Sequence, residues 1–131
     1  MTEVLLDTQV LIALALRGPN GLPKRAQKLL VDARIKKFVC SLSIAEIGIK
    51  TAIGKLKTTV PQVETLVGGL QAKPLAYNVR HANRLFDLPL PHREPFDRML
   101  IAVAMAEDLP LVGGDDEFPA YREQGLKIVW N

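Results

Sequence analysis

A chain of 131 residues falls in the size range of one domain, and 48% apolar residues suffice to bury one core without staples. Lys+Arg (17) and Asp+Glu (14) nearly balance at a net charge of +3, which suits a polyanionic partner without demanding one. A single cysteine, Cys40, excludes a disulfide framework, and in the run Phe38-Val39-Cys40 it reads as a small buried hydrophobe. The longest apolar runs, Val10 to Leu16 and Met99 to Ala106, are too short to span a bilayer, and no basic residue precedes Arg17. A soluble protein of the cytoplasm is expected.

In chain order, Val4 to Leu6 is a β-type run stopped by Asp7, and helices are expected over 8–16 and 24–36. Phe38 to Cys40 forms a second strand, followed by helices over 43–53, 61–70 and 78–87. After the Pro-rich stretch Leu88 to Pro95 comes a helix over 96–107. Leu111 to Val112 is a third strand, ending at Gly113-Gly114, and Lys127 to Trp130 is a fourth. Strands alternating with helices predict βαβ units, hence a parallel sheet covered by helices. The helices over Gln9 to Leu16 and Met99 to Ala106 are apolar nearly all round, which places them deep in the domain or at a subunit contact.

Four acids stand where such a sheet gathers its ligands, at the carboxyl ends of strands. Asp7 ends the first strand, and an N-cap role would also explain it. Glu46 completes the capping-box pattern Ser43-Ile44-Ala45-Glu46 and stands four residues before Lys50, a favourable helix pair. Asp97 follows Pro95-Phe96 at a helix start, where the dipole favours negative charge. Asp115 follows Gly113-Gly114 and reads alone as a turn residue beside Asp116 and Glu117. Each acid has a structural explanation, but their convergence on one edge is harder to explain that way. Four carboxylates together repel unless a cation neutralises them, and all-oxygen ligation favours Mg²⁺ or Mn²⁺. His81 and His92, the only histidines, lack a zinc-site spacing; His81 reads as a surface helix residue and His92 as a loop residue.

The segments LLDTQVLI, SLSIAEIGIKTAIGKL, LPLPHREPFDRMLIAVAMAEDLPLVGGDDEF and LKIVW resemble, in order and spacing, the PIN-domain toxins of VapC-type toxin–antitoxin pairs. The most specific part is PFDRMLIA with an acid eighteen residues after its Asp. The resemblance implies one PIN domain over 1–131, a Rossmann-like α/β/α sandwich with a mainly parallel sheet. It also implies Mg²⁺- or Mn²⁺-dependent cleavage of RNA, a homodimer and inhibition by a cognate antitoxin. By position the family's acids are Asp7, Glu46, Asp97 and Asp115, with Asp7, Asp97 and Asp115 on the metal, and Thr8 matches the threonine that commonly follows the first acid. Two departures stand out. Gly113 replaces the usual Thr or Ser two residues before the fourth acid, which leaves Asp116 as a substitute for Asp115, and Glu94 stands where many members have Asp.

With only 5% aromatic residues there is little material for base stacking. Grip on RNA is therefore expected from phosphate contacts by Lys50, Lys55, Lys57, Arg93 and Arg98, although each also reads as a solvated charge and Arg98 as the partner of a local acid. The competing readings are an RNA-processing PIN nuclease without an antitoxin, and an inactive PIN-like binding module. An aspartyl phosphatase is disfavoured because Asp7-Thr8-Gln9 lacks a second Asp two positions on.

Overall fold

A computed structural model describes residues 1–89 and 94–130. His92 and Arg93 lie outside the described residues. Val4, Leu5 and Leu6 are completely buried, and the strand they belong to, β1 (Glu3–Leu6), lies at the centre of the sheet. On one side it pairs with β2 (Lys36–Cys40), which in turn pairs with β3 (Lys73–Leu75). On the other it pairs with β4 (Leu111–Val112), which pairs with β5 (Ile128–Val129). Every pairing is parallel.

Alternate residues of a strand face opposite sides, and both sides here are apolar. Leu5 and Leu111 pack with Leu100 to Ala104, Phe118, Tyr121 and Leu126. Val4, Leu6 and Val112 pack on the opposite face with Val10, Leu11, Ala26, Leu29, Leu30 and Ile47. A sheet covered on both faces is the expected α/β/α sandwich. Each fully buried aliphatic side chain contributes about 1.5–3 kcal/mol.

The helices are α1 (Thr8–Arg17), α2 (Lys24–Val31), α3 (Ser41–Ala52), α4 (Val60–Gly69), α5 (Val79–Arg84) and α6 (Pro95–Ala106). Among the described residues none is long and apolar enough to cross a membrane. As expected, α6 lies deep, with Leu100 to Ala104 all buried. By contrast, α1 buries one face and leaves Leu16 66% exposed.

Several boundaries depart from expectation for local reasons. The helix expected over 24–36 stops at Val31, because the Asp32 carboxylate accepts from the Arg34 N–H (2.9 Å) and Arg34 Nε (3.0 Å), a local turn that competes with the helix. Asp32 is thereby held at about 2, the Arg34 side chain first among the causes. Lys37 does not interrupt β2, since its ammonium donates to the Asp32 carbonyl (2.8 Å). β3 was not anticipated: it is an edge strand with Pro74 inside it and little burial to give it a pattern. The helix expected over 78–87 is shorter, passing into a 3-10 turn at Leu85–Asp87, and another 3-10 segment covers Phe118–Gln124.

His81 is not on the surface but fully buried. Its N–H donates to Asn78 Oδ1 (3.0 Å) while the Asn78 N–H donates to its Nδ1 (3.1 Å), a reciprocal cap. Nδ1 being an acceptor, Nε2 carries the proton and donates to Glu107 Oε2 (2.7 Å), which Arg80 also pairs with. These bonds fasten α5 to the end of α6. His81→Leu is expected to cost about 2–3 kcal/mol through groups left unpaired, a fall in Tm of roughly 5–10 °C. Thermal unfolding checks it. A fall of under 2 °C would show that the cap and the Glu107 bond contribute little.

Candidate active site

Asp7 stands just beyond β1 at the N-cap position of α1, but its side chain makes no capping bond. Its backbone is held instead: its N–H donates to the Val112 carbonyl (2.9 Å), and its own carbonyl accepts from the Val10 N–H (3.0 Å). Asp7 is 1% exposed, and neither carboxylate oxygen has a hydrogen-bond partner among the described residues. Capping therefore does not account for this residue. Burial, first, and then the charges of Asp97 and Glu46 push its carboxyl up to about 8. Asp115 adds a smaller push, and the Thr8 N–H, near but outside hydrogen-bond geometry, acts the other way.

Glu46 does not form the expected capping box. The helix begins two residues earlier, at Ser41, with Cys40 as an N-cap that makes no side-chain bond. That places Ser43 inside the first turn, buried, where its Oγ accepts from Thr8 Oγ1 (2.8 Å). Residues three apart share a helix face, so this bond ties the start of α1 to the face of α3 that carries Glu46. Glu46 is itself buried and forms the expected pair with Lys50 (3.0 Å).

Asp97 lies in the first turn of α6, half-buried. Glu94, one of the two departures from the family pattern, caps this helix by accepting from the Asp97 N–H (2.7 Å). Asp115 is the third residue after β4 and keeps its turn role, its Oδ1 accepting from the Glu117 N–H (2.8 Å). Asp115 is half-buried and its charge acts on Asp7, whereas Asp116 is exposed and not among the charges that do. The fold thus brings Asp7, Glu46, Asp97 and Asp115 to one edge, beside the switch point where the chain's winding changes direction between β1 and β4.

In this conformation no three His, Cys, Asp or Glu side chains among the described residues converge closely enough to coordinate an ion. Glu46 is turned to Lys50. The donor chemistry nonetheless fits a hard divalent cation, since two buried carboxylate oxygens without a partner are ligands in need of a positive charge. Asp7, Asp97 and Asp115 could hold it. Cys40 takes no part: it is buried in the core, and burial pushes its thiol up.

Of the cations expected at phosphate, Lys50 is engaged with Glu46, and Lys55 and Lys57 are exposed. Arg98 donates to the carbonyls of Leu88 and Pro89 and to the Tyr121 hydroxyl. Away from the acids, an apolar cleft of about 750 Å³ opens between α3 and α4, lined by Ile44, Ile47, Val60, Val63 and Val67 among others.

Sequence reasoning misses the Thr8–Ser43 bond and the packing of Phe118 beside Asp7 at Gly113. The two hydroxyls are 35 positions apart, so no local pattern links them. For Phe118 the only hint was the glycine pair before Asp115, because glycine at a strand end often marks a close approach.

The sequence pattern that defines the PIN domain family matches residues 4–124. No curated protein sequence matches the chain. Among solved structures, the chain is similar to VapBC2 from Rickettsia felis bound to a DNA fragment from its promoter, at 14% identity and a TM-score of 0.73, covering 98% of this chain and 99% of that one. It is also similar to DNA-bound VapBC from Salmonella typhimurium (17%, 0.69, 98% of each chain). A third likeness is to VapBC-5 from Mycobacterium tuberculosis (17%, 0.64, 100% of each).

Proposed function

We propose that this chain, which belongs to the PIN domain family, is a Mg²⁺- or Mn²⁺-dependent endoribonuclease and the toxin of a toxin–antitoxin pair. The observation that carries the catalytic reading is Asp7, a carboxylate buried without partners among three other acids. Burying such a group unpaired is costly. The cost is understandable where a cation is to be held.

Asp7 and Asp97 would hold the ion, with Asp115 completing the set. The ion, when bound, lowers the pKa of a water molecule and stabilises the leaving oxygen. Glu46 orients the attacking water, and Lys50 fixes Glu46 in turn. The Thr8–Ser43 bond holds the strand end and α3 in register. Lys55 and Lys57, exposed beyond the end of α3 and beside Leu16 at the end of α1, could meet only phosphates well away from the scissile one.

An antitoxin partner is supported by the structural neighbours, which were solved as VapBC, and by the apolar cleft between α3 and α4. A homodimer is proposed on the family resemblance and the exposed face of α1; α6, the other expected contact, is taken up by the core.

The purified chain with Mn²⁺ is expected to cut RNA at defined positions, and EDTA to stop it. Expression alone is expected to arrest growth, with relief when the neighbouring short reading frame is co-expressed. Cleavage without arrest would favour an RNA-processing nuclease. No cleavage by folded protein with either metal would favour a binding module.

A further inference from the structure

Gly113 stands where the chain leaves β4, its N–H donating to the Val129 carbonyl (3.2 Å). A Cβ at this position would lie 2.8 Å from Asp7 Cβ, 3.0 Å from Asp7 Oδ2 and 2.9 Å from Phe118 Cε2. Carbon atoms ordinarily meet at about 3.5–4.0 Å. The space in front of the Gly113 Cα is therefore taken up by the Asp7 side chain and an aromatic ring, with no room for a methyl group.

Neither neighbour has an easy retreat. Phe118 is fully buried among Leu111, Tyr121 and Leu126, and its N–H is held by the Asp115 carbonyl (3.1 Å). The Asp7 backbone is held at both its N–H and its carbonyl. What remains free to turn is the Asp7 side chain, whose oxygens make no bond among the described residues. Rotating the carboxylate would relieve the contact with Oδ2, whereas the contact with Asp7 Cβ yields only if the end of β1 shifts, so a side chain at 113 would displace the carboxylate in both ways.

We propose that Gly113 and Phe118 are positioning residues that together set the direction of the Asp7 carboxylate. The ring and the carboxylate share the space that a side chain at 113 would need, and its absence keeps both in place. The hydroxyl that the family resemblance leads one to expect at 113 is missing because the ring and carboxylate leave it no space. Restoring it would harm the site. This rests on the proposed function for its metal readout but not for its packing readout.

The test is a double-mutant cycle of Gly113→Ala and Phe118→Leu, repeated with Gly113→Ser, reading Tm without metal and Mn²⁺ affinity by titration. Gly113→Ala is expected to lower the metal-free Tm by about 5 °C or more, as overpacking does. It should weaken Mn²⁺ binding by at least about tenfold, as disturbing a ligand's support does. Gly113→Ser should behave no better despite its hydroxyl. With Phe118→Leu also present, the alanine should cost less than half as much in Tm, and Mn²⁺ affinity should recover at least threefold over Gly113→Ala. Wild-type affinity in Gly113→Ala, or strictly additive effects across the cycle, would overturn the proposal. If the wild-type chain binds no Mn²⁺ and cuts no RNA, the proposed function fails, and the metal-free cycle decides the positioning role alone.

Discussion

Asp7→Asn is expected to abolish RNA cleavage while raising the metal-free Tm above that of the wild type at pH 8.5. In the folded chain the Asp7 carboxyl is pushed up to about 8 from an ordinary 3.8. The folded state thus holds this proton more tightly than the unfolded state does. Below about pH 4 both are protonated and this group does not penalise folding. Between about pH 4 and pH 8 the unfolded chain has released the proton and the folded chain has not, so stability falls by about 1.4 kcal/mol per pH unit from this group. Above pH 8 both are ionised and the loss is complete, on the order of several kcal/mol.

Asparagine keeps the shape and cannot ionise. An unpaired buried amide costs about 1–3 kcal/mol, less than the ionised carboxylate. The variant and the wild type should therefore unfold within a few degrees of each other at pH 5. At pH 8.5 the variant should lead by about 5–10 °C. Mn²⁺ should raise the wild-type Tm at pH 8.5 and leave the variant's nearly unchanged, because only a ligand that binds the folded state stabilises it. The measurement is thermal unfolding from pH 5 to 9 with and without Mn²⁺. A constant difference between the two proteins across that range would mean that Asp7 is not strained as described.

Asp97→Asn and Asp116→Asn should separate a site acid from a bystander. An ion that stabilises transition-state charge by several kcal/mol, at about 1.4 kcal/mol per tenfold, implies that losing Asp97 slows cleavage by at least about 10²–10³-fold. The start of α6 should survive, because Glu94 bonds the backbone N–H of residue 97 and not its side chain. Only the dipole contribution, roughly 0.3–1 kcal/mol, is at stake for stability, and relief of the repulsion on Asp7 offsets it. Asp116 is exposed and exerts no charge effect on Asp7, so its removal should leave the rate within about twofold. Asp115→Asn should resemble Asp97→Asn. Initial rates on one RNA with Mn²⁺ in excess compare the three, and equal rates for Asp97→Asn and Asp116→Asn would remove Asp97 from the site.

The class of fold and the edge on which the acids lie were legible in the sequence. Short β-type runs alternating with helices leave few alternatives to a parallel sheet, and a parallel sheet gathers its strand ends on one side. Asp7 after Leu6 and Asp115 after Val112 therefore belong to that edge on sequence alone, as does the Glu46–Lys50 pair, which depends only on helical spacing. Tertiary structure alone decided what those residues do there. Whether Asp7 caps its helix or stands unpaired depends on what surrounds it, and those neighbours come from α3, α6 and the segment after β4. The capping box at Ser43 had the right residues, yet a bond from Thr8, 35 positions away, claims that hydroxyl within a helix that starts earlier. His81 looked like a surface residue because its partners, Asn78 and Glu107, make sense only once α5 lies on α6. Gly113 reads in the sequence as a lost hydroxyl, and only in the fold do Phe118 and Asp7 fill the space. Local spacing sets periodicity and strand ends, whereas contacts between distant segments set burial, and burial decides whether a polar group is a cap, a structural bond or a ligand.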